Sequence, residues 1–214
     1  MVLKKRSIGF FGGSFNPIHM GHLIAAEYAR EFFSLDSIYF IPTWISPHKH
    51  EVSLAPPSHR VEMIKLAIQD NTSFSILQCD IQRQCPTYTM DTLRDISGLF
   101  PQSHFAYHFI VGSDAIQKLP TWKSPDQILT YTDFLVAQRE RSSTEEDWLP
   151  TLIEKMPEVT HKIHFFPMPT IGISSSLIRD RIFQKKTIQY LVPATVASYI
   201  GINNLYKEDC YRKN

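Results

Sequence analysis

Ser7-Ile8-Gly9-Phe10-Phe11-Gly12-Gly13-Ser14-Phe15-Asn16-Pro17-Ile18-His19-Met20-Gly21-His22 is the stretch whose reading decides the fold. Ser7–Phe11 has the apolar character of a strand, Gly12-Gly13 breaks it, and Asn16-Pro17 favours a turn. From about Met20 to Phe33 the apolar residues return at helical spacing. A strand, a glycine turn and a helix in this order make a natural anion site. Glycines without Cβ admit a ligand close to the backbone. The unpaired N–H groups of the helix start, at the positive end of its dipole, suit phosphate. His19 and His22 are three residues apart and so face the same way on a helical turn. Both imidazoles can then reach phosphate oxygens, whose charge would favour imidazolium. The pair alone also fits half of a metal site or an incidental placement. The glycine turn in front of it tips the balance to phosphate. The stretch is neither a Gly-Lys-Ser/Thr phosphate loop nor Gly-x-Gly-x-x-Gly.

Working outward, further strands are expected at Ser37–Ile41, Phe74–Leu77, Phe105–Val111, Phe134–Ala137 and Ile163–Phe166. Helices are expected from Pro57 to about Asp70, after Thr89 as N-cap, from within Ser174–Ser176, and after Pro193. Thr43–Ser58 and the residues around Cys85 read as loops. Strands alternating with helices predict an α/β fold, a Rossmann-like doubly wound, mostly parallel sheet with helices on both faces. One domain is expected over residues 1–214, with 171–214 as a small helical C-terminal part.

A net charge of +1 gives no global attraction to nucleic acid or an anionic membrane, so anion binding has to be local. Three cysteines, Cys79, Cys85 and Cys210, have no metal spacing and form a poor disulfide framework. Reduced thiols in a cytoplasmic protein are expected. No signal peptide or membrane span is read in the N-terminal segment, whose apolar run stops at Gly12-Gly13.

A second candidate site is Ile173-Ser174-Ser175-Ser176-Leu177-Ile178-Arg179. Ser174 is a natural N-cap, and Arg179 is near enough to reach back toward the helix start with a guanidinium fork that matches phosphate. Taken alone, a capped surface helix with Arg179 paired to Asp180 explains it slightly better. Gly112-Ser113-Asp114 follows a strand, where α/β folds place ligands. Trp122 lies between Pro120 and Pro125 and is expected in a loop.

Together these motifs resemble the nucleotidylyltransferase superfamily, and most closely its bacterial nicotinate-nucleotide adenylyltransferases. Gly12–His22 is similar to GG(T/S)F(D/N)PxHxGH, with Ser14 and Asn16 at positions where Thr and Asp are commoner. Ile173–Arg179 is similar to ISSTxIR, with Ser176 for Thr. Pro47-His48-Lys49 resembles a PHK element, Tyr88–Leu93 a YTxDTL helix start, and Gly112–Asp114 a GxD element. Where the family often has Arg-Pro-Gly, Arg139 is followed by Glu140-Arg141. The resemblance implies adenylyl transfer from ATP to nicotinate mononucleotide by direct in-line attack. Nicotinamide mononucleotide or phosphopantetheine as acceptor, and a catalytically silent nucleotide-binding module, are the alternatives. It implies that His22, His19 and Arg179 are catalytic and that Gly12, Gly13, Ser14, Phe15, Lys49, Gly112, Asp114, Ser174 and Ser175 bind ATP. It further implies that Tyr88, Thr89 and Trp122 hold the acceptor, and that Mg2+ arrives on ATP without a protein metal cage.

Overall fold

The apolar runs of the sequence fold as six strands of one sheet in the computed structural model, which describes residues 4–45, 54–139 and 148–208. Along the chain come β1 (Arg6–Gly13), α1 (Met20–Phe32), β2 (Ser37–Pro42), α2 (Pro57–Ile68), β3 (Phe74–Ile76), α3 (Cys79–Arg83) and α4 (Thr89–Leu99). Then follow β4 (Phe105–Val111), α5 (Ser113–Ile116), α6 (Pro125–Tyr131), β5 (Asp133–Arg139), α7 (Trp148–Lys155), β6 (Ile163–Met168), α8 (Ser175–Phe183) and α9 (Ala194–Ile202). Short 3-10 turns occupy Leu119–Thr121 and Pro157–His161.

The strand order is β3-β2-β1-β4-β5-β6. The chain starts in the middle, builds outward to β3, and returns to add β4 beside β1 in parallel, from Arg6 opposite Phe105 to Phe11 opposite Ile110. β5 and β6 extend the other side in parallel register. This is the Rossmann-like order, and its switch point lies between β1 and β4. Gly12 and Gly112 therefore leave the sheet at the same end, where such folds take their ligands.

The residues fall into two compact units, each assembled from three pieces of chain. One comprises Met1–Gly12, Ala25–Tyr39 and Tyr88–Thr170; the other comprises Gly13–Ile24, Phe40–Thr87 and Ile171–Asn214. In the first unit Phe134, Leu135 and Val136 are buried in succession, as expected for a parallel strand covered on both faces. Small Ala25, Ala26 and Ala29 line the buried side of α1. In the second unit α2 is tied to α9, with the Thr195 hydroxyl donating to the Leu66 carbonyl at 3.1 Å and the His59 ring 2.9 Å from the Tyr199 hydroxyl. Among the described residues no helix is long and apolar enough to cross a membrane.

Some local expectations change. Thr89 is the first residue of α4 and not its cap; the cap position is Tyr88, whose carbonyl accepts from the N–H groups of Asp91 and Thr92. The helix therefore starts at the residue whose hydroxyl was expected to cap it, one position earlier than expected. Cys79–Arg83 is a short helix closed by an ion pair of 2.9 Å between Arg83 and Asp80, where no element was expected. Trp122 does lie in a connection, between the 3-10 turn and α6.

Gly9 illustrates how tightly β1 is packed. A Cβ there would lie 2.9 Å from Leu35 Cδ1 and 3.1 Å from Ile38 Cγ1. Gly9→Val is expected to cost about 1–3 kcal/mol through overpacking. Urea unfolding should show a lower midpoint with an unchanged slope.

Candidate active site

The second unit carries the Gly13–His22 turn. Gly13 leaves β1 and its carbonyl accepts from the Thr43 N–H at 2.9 Å. Phe15 takes φ 44, a backbone region that bulky residues seldom occupy. Its ring folds back so far that a Cβ on residue 13 would meet it at 3.1 Å, a contact that only a small shift of the ring could relieve. The same ring stands edge-on to His22 at 5.0 Å and packs on Phe40.

Asn16 is almost fully buried and is the hub of the turn. Its side-chain Oδ1 accepts from the Ala55 N–H and from the Tyr206 hydroxyl, each at 3.0 Å. Its main-chain carbonyl accepts from Arg179 Nη1 at 3.0 Å. Arg179 also donates to the Ser176 hydroxyl at 3.2 Å, while Ser175 donates to the Pro17 carbonyl at 2.8 Å. Ser174 caps α8 as expected, accepting from the Leu177 N–H at 3.1 Å. The two sequence-distant motifs thus meet in one unit, and Ser175 and Arg179 are the residues that join them. Arg179 is 4% exposed, and desolvation by burial lowers its pKa.

His19 and His22 stack with ring centroids 3.7 Å apart. The His19 N–H donates to His22 Nδ1 at 3.2 Å. With Nδ1 occupied as an acceptor, neutral His22 carries its proton on Nε2, the nitrogen that can donate to a ligand. His19 is buried, and desolvation pulls its pKa down from 6.5 to about 4. The protein without phosphate therefore holds His19 neutral, with Nδ1 buried and lacking a hydrogen-bond partner in the fold. Gly21 explains the residue between the histidines: a Cβ there would lie 3.1 Å from His19 Cε1 and Nδ1.

The remaining candidates belong to the first unit. At Gly12 a Cβ would press on the Phe109 ring at 3.1 Å, whereas at Gly112 it would meet open space. Gly112 caps α5, and Asp114 is exposed in its first turn. Tyr88 and Thr89 are half-buried at the start of α4. Trp122 is half-buried and edge-on to Phe134 at 6.0 Å. Its neighbour Lys123 bonds both carboxylate oxygens of Asp91, at 2.8 and 3.1 Å, and sits 5.0 Å over the Tyr88 ring. Trp122 and the α4 start are thereby linked. Lys49 lies outside the described residues, and Arg139 closes β5.

The sequence reading missed Arg60 and Tyr206. Arg60 is fully buried on α2, with its guanidinium on four backbone carbonyls, those of Ser14, Thr43, Trp44 and Ala55. A signal existed: Arg60 stands four and eight residues before Ile64 and Ile68, on the stripe that α2 buries.

The chain is similar to known proteins over most of its length. The cytidylyltransferase-like family matches residues 10–181. A probable nicotinate-nucleotide adenylyltransferase of Desulfitobacterium hafniense is 40% identical over 94% of this chain and 96% of its own length. Another of that name from Dehalococcoides mccartyi is 36% identical over 92% of this chain and 96% of its own. Among solved structures, the nicotinic acid mononucleotide adenylyltransferase of Plasmodium falciparum complexed with NaAD has the same fold, with a TM-score of 0.73 at 23% identity. That match covers 94% of this chain and 97% of the other.

The depressed His19 pKa makes stability depend on pH. Between about 4 and 6.5 the unfolded chain binds more protons at this residue than the folded one, so the contribution of His19 is complete above 6.5 and is lost as pH falls toward 4. The loss amounts to about 3 kcal/mol. Urea titrations of the wild type and His19→Gln at several pH values should give a shallower slope for the variant across that window. Parallel slopes would remove His19 as the cause. Gly21→Ala should displace the His19 ring and lower turnover roughly tenfold or more, a cost typical of a slight misplacement of catalytic groups.

Proposed function

The chain belongs to the cytidylyltransferase-like family and, within it, to the nicotinate-nucleotide adenylyltransferases; from that membership we propose how its residues transfer the adenylyl group of ATP to nicotinate mononucleotide. The reaction yields deamido-NAD and pyrophosphate, a step of NAD biosynthesis. A phosphate oxygen of the mononucleotide attacks the α-phosphorus of ATP in line, forming the new P–O bond as the bond to pyrophosphate breaks. The attacking phosphate is already an anion and needs no general base. The protein's work is positioning and charge stabilisation, as in phosphoryl transfer generally.

In this proposal Gly12, Gly13, Ser14 and Phe15 admit the triphosphate to the turn. His22 donates from Nε2 to the reacting phosphate, because its Nδ1 is engaged by the His19 N–H. His19, neutral without ligand, takes up proton density as phosphate charge arrives. Arg179, Ser174 and Ser175 serve the leaving pyrophosphate: Arg179 through its charge and its hold on the Asn16 carbonyl, Ser175 through its bond to the Pro17 carbonyl, and Ser174 as the cap of α8. Lys49 adds a cation, and Gly112 and Asp114 serve the adenosine. Tyr88, Thr89 and Trp122 hold the pyridine ring and its carboxylate.

Mg2+ would arrive on the triphosphate, held by phosphate oxygens, and would supply charge neutralisation of the leaving group. A cytoplasmic setting belongs to the same proposal, supported by three cysteines whose spacing makes a poor disulfide framework. The observation that carries the reading is the single buried network joining the Ser14–His22 turn to Ser175 and Arg179.

The deciding experiment is pyrophosphate release from ATP with nicotinate mononucleotide and, in parallel, with nicotinamide mononucleotide. A higher kcat/KM for the nicotinate compound is expected; no release with either would overturn the proposal. His22→Ala should cut kcat by about 10²-fold, the scale of losing one preorganised electrostatic contact. Trp122→Ala should raise KM for the mononucleotide far more than KM for ATP. If both constants moved together, the stacking role would fall.

A further inference from the structure

We propose that Arg60 is a positioning residue for ATP: from behind the phosphate turn it fixes the Ser14–Phe15 peptide and so sets the direction of the backbone donors that receive the triphosphate. The inference rests on the adenylyl-transfer reading of the turn and extends it to a side chain that touches no substrate.

Arg60 is 0% exposed. A guanidinium taken out of water is costly unless its N–H groups are satisfied. Here Nη1 donates to the Ser14 carbonyl at 2.8 Å and to the Thr43 carbonyl at 2.7 Å. Nη2 donates to the Trp44 carbonyl at 3.2 Å, and Nε to the Ala55 carbonyl at 3.0 Å. All four acceptors are main-chain carbonyls, drawn from the phosphate turn, the exit of β2 and the approach to α2. Burial lowers the Arg60 pKa to about 10, so the group stays charged at neutral pH. Only a planar fork with several fixed donors can span these acceptors at once; an ammonium on a flexible stem cannot.

The consequence at the turn follows from peptide geometry. In a trans peptide the carbonyl and the next N–H point in opposite directions. Holding the Ser14 carbonyl toward Arg60 therefore turns the Phe15 N–H the other way. Phe15 also sits at φ 44, a conformation that persists only where its surroundings over-determine it. Two residues on, Arg179 holds the Asn16 carbonyl in the same manner. The turn Ser14-Phe15-Asn16 is thus gripped at both ends by buried guanidiniums.

The test uses Arg60→Lys and Arg60→Ala in the full chain, each first checked for cooperative thermal unfolding. Pyrophosphate release by the wild type tests the adenylyl-transfer reading by itself. If Arg60 positions the turn, both variants should lose roughly 10–100-fold in kcat/KM for ATP, while KM for nicotinate mononucleotide stays within about twofold. Added guanidinium at low millimolar concentration should restore part of the Arg60→Ala activity, and ammonium at equal ionic strength should not. Full activity in Arg60→Lys, equal shifts in both substrates, or losses that only track the unfolded fraction would overturn the proposal. Failure of both variants to fold would overturn it too, by assigning Arg60 to folding alone.

Discussion

The Ser14–His22 turn depends on burying Asn16 with its side-chain and main-chain oxygens satisfied. An amide removed from water without partners costs a few kcal/mol, so such a turn exists only where the rest of the fold delivers donors to it. Those donors come from Ala55, Arg179 and Tyr206, separated from Asn16 by 39, 163 and 190 residues. None of them is near in sequence, and the unit that contains them is built from three pieces of chain. Closing the turn therefore requires most of that unit to be folded. The turn is rigid for the same reason, and rigidity is what preorganised stabilisation of phosphate charge needs.

The electrostatics of the turn follow from that burial. Behind it stand guanidiniums that remain charged, and on it stand stacked imidazoles, of which His19 is held neutral by desolvation. Stacking at 3.7 Å disfavours protonating both rings while no anion is present. In the proposed reaction a bound triphosphate would offset the hydration that an imidazolium loses on burial, and proton uptake at His19 would then be coupled to phosphate binding. The sequence expectation of imidazolium differs from the fold at His19, where burial favours the neutral ring.

Much of this was legible before any coordinates. The strands were marked by apolar runs ending at Gly or Pro, and the α8 cap by Ser174 one residue before the helix. What could not be read was the long-range hydrogen bonding. The helical spacing of Arg60 with Ile64 and Ile68 places it on the buried stripe of α2, but its carbonyl partners on other segments appear only in the fold. Tyr206 has no local pattern at all; its meaning lies in a hydroxyl that reaches Asn16. Thr89 was misplaced by one residue because a hydroxyl near a helix start resembles a cap whether or not it accepts a bond, and here the Tyr88 carbonyl takes that part. Short helices such as Cys79–Arg83 carry too few turns to show a period.

Arg179 shows why a residue role cannot be carried from a motif without geometry. The motif suggests a cation lying on phosphate; in the fold its guanidinium is buried and bonded to the Asn16 carbonyl and the Ser176 hydroxyl. These roles are compatible because charge acts at a distance. At an effective dielectric of about 20, a unit charge roughly 6 Å from another is worth about 3 kcal/mol. A guanidinium fixed behind a turn thus stabilises an anion in front of it without direct contact. It also needs no rearrangement when the charge moves from the α-phosphate to the leaving pyrophosphate. Around the turn the buried cations set the field, while Gly13 makes room for the Phe15 ring, whose packing helps to fix the backbone.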